Sequence, residues 1–104
     1  MVRAVDWSRD ALDDLKAQVA YIAADNPVAA RKVAARIRKI GNDLGTMATG
    51  RPGRVYGTYE QPISDLPYIV AYTIRLVPGR GEVVTILRII HGARDWPTNE
   101  WPRN

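Results

Sequence analysis

Residues 22–33 read IAADNPVAARKV, an apolar helical ending, a short break and a second helical beginning. At the break Asn26 can accept an N–H from the turn that follows it. Pro27 then occupies the first helical position, where a missing N–H costs nothing. Upstream, Leu12, Leu15, Val19 and Ile22 recur at helical spacing with Ala11 and Ala23 beside them, and Ser8 stands as N-cap with Asp10 in the first turn. This predicts a helix over about 9–24. Downstream, Ala30, Val33, Ile37, Ile40 and Leu44 continue the apolar stripe from Pro27 to Leu44, and Gly45 suits a left-handed cap. Two helices of similar length joined by so short a link must lie antiparallel, as an αα-hairpin sharing one apolar groove.

That groove needs a cover, and the flanking sequence supplies strands. Val2–Asp6 alternates weakly and reads as a first strand. After the hairpin, GTMATGRPGR at 45–54 is turn chemistry. Three extended runs follow: Arg54–Glu60, interrupted by Gly57, then Tyr68–Val77, then Glu82–His91 after the PGRG loop at 78–81. Both faces of Tyr68–Val77 are mostly apolar, which marks a central strand. Residues 92–104, with two Trp-Pro pairs, read as an extended C-terminal tail. The expected fold class is α+β in the order β-αα-βββ, a single domain over 1–104 with an antiparallel helical hairpin packed on a small, mostly antiparallel sheet.

Composition narrows the chemistry. The 104 residues contain no Cys and one His, so thiolate metal sites and disulfides are excluded, and no metal or cofactor is expected. No window approaches the ~18 apolar residues of a membrane span and no secretion signal opens the chain, so the expected location is the cytoplasm, without membrane contact. Lys and Arg outnumber Asp and Glu by 15 to 11, for a net charge of +4. Asp6, Asp10, Asp13 and Asp14 crowd residues 6–14, while Arg31, Lys32, Arg36, Arg38 and Lys39 crowd residues 31–39. The excess of positive charge favours an acidic partner. The basic stripe could track phosphates, but helices this long with so short a link do not make a crossed DNA-reading unit, so direct nucleic-acid contact is not expected.

Residues 88–97, RIIHGARDWP, carry the only histidine. Metal-free RNA cleavage requires a base, an acid and a cation converging on one face. Arg54, Arg88 and His91 are the residues that could serve, with Glu60, Tyr59 or Asp95 as the second proton-transfer group. Alternation, however, places Arg88 and His91 on opposite pleats. The competing reading makes His91 a strand-end residue, Arg94 and Asp95 a surface pair or a tail cap, and Trp96 an anchor for the tail.

Four blocks, WSRDALDDLKAQVAYIAADNPVAARKV at 7–33, GRVYGTYE at 53–60, LPYIVAY at 66–72 and ILRIIHGARDWP at 86–97, together resemble the RelE/ParE family of type II toxin–antitoxin toxins. HGARDWP, DNPVAA and LPYIVAY look like the ParE side. The RelE-type nucleases carry an Arg after the third-strand Tyr, where this chain has Ile69, and a basic residue where it has Gly92. Tyr59 stands where many ParE members have Arg. The resemblance implies a ParE-like toxin, without catalytic residues of its own, that inhibits DNA gyrase by protein–protein contact. A ParD-like antitoxin would neutralise it in a hetero-oligomer, its acidic amphipathic C-terminal segment lying over the helices and sheet. Alternatives are a RelE-like ribosome-dependent mRNA endonuclease, using Arg54, Arg88 and His91, and a non-toxic remnant that only binds the antitoxin. On this reading Arg88, His91, Arg94 and Trp96 would meet the target, and Leu15, Val19, Ile22, Val33 and Ile37 the antitoxin.

Overall fold

The structure, a computed structural model, describes residues 2–91; the expected tail with Arg94 and Trp96 lies outside the described residues. The elements run β1 (Ala4–Trp7), α1 (Arg9–Ala23), α2 (Pro27–Asp43), β2 (Arg51–Pro52), β3 (Tyr59–Pro62), β4 (Tyr68–Val77) and β5 (Gly81–His91). The class is α+β, two helices on a five-stranded sheet ordered β1-β5-β4-β3-β2. Only β1–β5 is parallel; the other three pairings are antiparallel. No helix of the described residues is long and apolar enough to cross a membrane.

Both helix starts follow the local chemistry of their sequence. The Ser8 hydroxyl accepts the Ala11 N–H at 3.0 Å, and the Asn26 side chain accepts that of Ala29 at 3.0 Å with Pro27 opening α2. Ser8 also donates to the Leu87 carbonyl at 2.9 Å, so one hydroxyl caps α1 and ties it to β5. The helix stripes supply Ala11, Leu15, Ile37 and Leu44 to a core completed by Val70, Tyr72, Val84, Ile86 and Ile89 of the two long strands.

Three expectations are corrected. The first strand is Ala4–Trp7 rather than Val2–Asp6, because its register against β5 runs from Ala4↔Val83 to Trp7↔Ile86. The run Arg54–Glu60 is not one strand. The chain reverses there: Arg51–Pro52 pairs with Tyr59–Glu60, Gly53 N donates to Thr58 O at 2.9 Å, and Gly57 adopts φ +84°. Four strands therefore follow the helices instead of three. Gly45 is not a left-handed cap, since positive φ among the described residues occurs only at Gly57, Gly79 and Gly81. It is small because its chain passes β1: Arg3 N donates to Gly45 O at 2.7 Å, and a Cβ would stand 2.6 Å from the Arg3 carbonyl oxygen.

The β4–β5 hairpin closes as its sequence directs. Pro78 and Gly79, with φ +80°, occupy the central positions of a turn in which Arg80 N donates to Val77 O at 3.0 Å. Further along, Ala71 faces Arg88 whereas Tyr72 faces Ile86, so Leu87 is an extra, bulged residue. The bulge lies just past the end of β1, where the free edge of β5 meets α1.

Candidate functional site

The far end of β5 carries the residues that sequence analysis singled out. Arg88 is held by Asp14 of α1: Nε and Nη2 donate to the two carboxylate oxygens at 2.8 and 3.0 Å, and Ile89 N donates to Asp14 at 3.0 Å. Both side chains are largely buried, 14% and 15% exposed. Asp14 thus satisfies a guanidinium and the strand-edge N–H that β1 is too short to pair. His91, half-buried, pairs with Tyr68, and the two rings meet edge to face at 5.6 Å. The Tyr68 hydroxyl donates to Gln18 of α1 at 3.3 Å, so α1 holds the ring against which His91 packs.

This geometry does not assemble the nuclease set. Arg88 pairs with Ala71 and His91 with Tyr68, positions of opposite parity on β4, so their side chains leave opposite faces. Arg54 is farther still. It follows β2, three strands from β5 and level with β4 residues about five positions from Tyr68. At about 4.8 Å per strand and 3.4 Å per residue, it lies roughly 20 Å from His91. No side chain spans that gap.

Arg54 has its own partner. The Glu60 carboxylate, 5% exposed, accepts from Arg54 N at 2.8 Å and Arg54 Nε at 3.0 Å. Burial pushes the Glu60 pKa up, but the Arg54 hydrogen bonds and the charges of Arg54 and Arg51 outweigh it, leaving the group below its ordinary 4.5. A depressed folded-state pKa contributes stability that is complete above 4.5 and is lost as pH falls through the lower folded value. Glu60→Gln is expected to cost about 2 kcal/mol at neutral pH, the range for a hydrogen bond to a charged group. It should also flatten the acid limb of the stability curve in urea titrations across the acidic range. An unchanged acid limb would assign that limb to other carboxylates.

Tyr59, on β3 with Glu60, stacks on Tyr72 with centroids 5.5 Å apart. Burial raises the Tyr72 hydroxyl above its ordinary 10.0 despite the Gly50 N–H that it accepts at 2.9 Å. A Cβ at Gly50 would come within 2.6 Å of that oxygen, so glycine is required for this close approach.

The helical hairpin presents the second candidate surface. Of the five residues expected to meet a partner there, Leu15 and Ile37 are core, 3% and 0% exposed, and are corrected to that role. Their stripe faces the sheet because no other surface could cover it. Val19, Ile22 and Val33 are half-buried at the rim. Beside Val33 a groove of about 250 Å³ is lined by Lys32, Val33, Arg36, Asp65 and Leu66, with Arg36 bridging to Asp65 at 3.1 Å. Sequence reading missed Asp65 and Leu66, because the loop that brings them to α2 is a tertiary placement. Asp14 had a signal: a carboxylate between Ala11 and Leu15 on the apolar stripe, matched by the lone Arg88 in an apolar strand.

Comparisons with known proteins agree with this architecture. The family model for the ParE toxin of the type II toxin–antitoxin system parDE matches residues 5–96. A Sinorhizobium fredii protein named "Putative toxin Y4kP" is 38% identical over 94 residues, covering 89% of this chain and 92% of its own length. A solved structure titled as the chromosomal ParDE TA system from P. aeruginosa superposes with a TM-score of 0.74 at 26% identity, covering 86% of this chain and 96% of that one. A short strand, an αα-hairpin and a bulged β4–β5 ladder braced by Asp14 are therefore the frame of a toxin, and the chain belongs to the ParE family of type II toxin–antitoxin systems.

Proposed function

We propose that this toxin inhibits DNA gyrase by protein–protein contact, in the cytoplasm, and that a ParD-like antitoxin neutralises it in a hetero-oligomer. One observation carries the non-enzymatic part of the reading: Arg54, Arg88 and His91 do not converge, and Arg54 and Arg88 are each engaged by a buried or largely buried carboxylate. A cation held this way is a poor phosphate ligand, because leaving its partner strands a desolvated charge. His91, with Arg94 and Trp96 beyond the described residues, remains the proposed target contact; Arg88 would act there only by holding the strand end in place. The antitoxin segment is proposed to cross Val19, Ile22 and Val33 and to enter the groove at Leu66. The cations Lys32 and Arg36 on its rim suit an acidic chain.

The purified toxin should block gyrase supercoiling, or trap gyrase on cleaved DNA, while leaving mRNA on ribosomes intact. Codon-dependent mRNA cleavage with normal supercoiling would replace this reading with the endonuclease. Absence of growth arrest on expression alone would leave a protein that only binds antitoxin. His91→Ala is expected to keep toxicity within a few-fold, whereas loss of a general acid or base removes about 10²–10⁴ in rate. A loss on that larger scale, with the fold intact by circular dichroism, would falsify the non-enzymatic mechanism.

A further inference from the structure

The sheet has a second face, turned away from both helices, and that face is closed as well. On β4 and β5, Val70, Tyr72, Val84, Ile86 and Ile89 join the helix-side core, whereas the buried Ala71, Val83, Leu87 and Ile90 stand outside it. Strand alternation and register place Ile90 with Ile69, Ala71 with Glu60, and Thr73 with Thr85 on this other side. Ala71 and Ile90 are 0% exposed, Val83 and Leu87 2%, and Thr73 8%. The Thr73 hydroxyl is shut off from solvent there without a partner among the described residues.

No described element accounts for that closure. Both helices give their apolar stripes to the opposite face. Asp14 reaches the β5 edge through Arg88, and the 53–58 turn reaches the β3 edge through the Arg54–Glu60 pair. Between those margins no helix or strand of the described residues crosses the face. Ile90 is the decisive case. Strand β1 pairs only as far as Ile86, so no strand flanks the outer side of Ile90, and yet its side chain is sealed from water. A large apolar side chain at a free strand end is sealed only by atoms lying over it.

The burial is a property of one chain alone, so the cover belongs to the same chain. Residues 92–104 leave β5 immediately beside Ile90 and carry the Trp-Pro pairs 96–97 and 101–102. Extended, they reach up to about 43 Å, against about 24 Å of strand from Ile90 back to Val83. One Trp buries about 150–250 Å² and suits a flat apolar face. We propose that the sheet face opposite the helices is the docking surface of this chain's own segment 92–104, with Trp101 as its anchor at the Thr73–Thr85 pair. After a reversal at Gly92, an extended return brings position 101 to about the level of that pair. Residues five apart leave opposite sides of an extended segment, so seating Trp101 leaves Trp96 for the target contact.

Thiol labelling tests the docking in the full chain, which has no cysteine of its own. A thiol at Thr73→Cys is expected to react with a maleimide at least about 100-fold more slowly than one at Tyr21→Cys, an 80% exposed reference on α1. Trp101→Ala should speed the Thr73→Cys reaction at least about tenfold, and Trp101→Phe should keep most of the protection. Equal rates at the two thiols, or slow labelling that Trp101→Ala leaves unchanged, overturn the proposal. So does protection that fades on dilution, because the cover is then a second copy. Should Trp101→Ala fail to fold, Thr85→Cys with Arg103→Cys decides the matter in a chain that keeps Trp101. A short bis-maleimide should join the two thiols within one chain, read by intact mass, and no such product overturns the docking. None of these readouts involves gyrase or antitoxin, so the two proposals fail separately.

Discussion

Asp14→Ala is expected to lower the stability of the isolated toxin by about 3 kcal/mol. Removing one member of a buried ion pair costs about 3–5 kcal/mol because the remaining charge is left desolvated, and the 14–15% exposure of this pair places it at the lower end. Ile89 N–H also loses its acceptor at the strand edge. For a domain of this size the change corresponds to a fall in Tm of roughly 10–20 °C. Thermal and urea unfolding of purified variants measure it. Asp14→Leu combined with Arg88→Met should recover much of the loss, because a packed apolar pair replaces a desolvated ionic one. A fall of under about 3 °C for Asp14→Ala would mean that the Asp14 carboxylate contributes little to holding the strand end. The distinction matters for function: a toxicity loss in an Arg88 variant then has to be separated from loosening of the strand end on which His91 sits.

The second large effect separates core from partner surface on one helix face. Ile37, fully buried, is expected to lose about 2–5 kcal/mol on Ile37→Ala through lost transfer energy and the cavity left behind. Its consequence for antitoxin binding should be no more than follows from unfolding. Val33, one turn earlier and on the groove, should behave in the opposite way. Val33→Asp places a negative charge where an acidic segment is proposed to lie, and is expected to weaken antitoxin binding by about 2 kcal/mol, a factor of about 30, at a stability cost of about 1 kcal/mol. Denaturation of the toxin and calorimetric titration with antitoxin give the two quantities independently. Full antitoxin affinity in Val33→Asp would move the interface off this groove.

Packing elsewhere shows why the helix faces had to divide this way. At Gly41 a Cβ would lie 2.5 Å from the Trp7 ring and 2.8 Å from the Ile86 side chain, so α2 presents bare backbone to these two side chains of β1 and β5. Trp7 Nε1 donates to Asn42 at 3.1 Å at the same contact. With α2 seated so closely, Ile37 and Leu44 have nowhere to point but into the sheet, and Val33 is left at the margin where the 63–67 loop arrives.

The αα-hairpin, its two caps, the long β4–β5 ladder and the turn at Pro78–Gly79 were all legible in the sequence, because each is set by interactions within a few residues. An N-cap hydroxyl, a proline ring and a glycine of positive φ act on their own neighbourhood. The family resemblance was legible for the same reason: its blocks coincide with those local elements. The reversal at Gly53–Thr58 was not, since VYGTYE has the composition of a strand, and its turn is closed by the Gly53–Thr58 hydrogen bond and by Glu60 reaching back to Arg54. Nor was the fate of Arg88 and Arg54. Charge type is written in the sequence, but whether an arginine is free depends on which carboxylate the fold brings to it from 74 residues away, or from the next strand. Sequence alone determined what kind of elements this chain makes and which family they belong to. Tertiary structure alone decided which cations are engaged, which apolar side chains are core, and which surfaces are left to bind, because burial and pairing are properties of distances between elements.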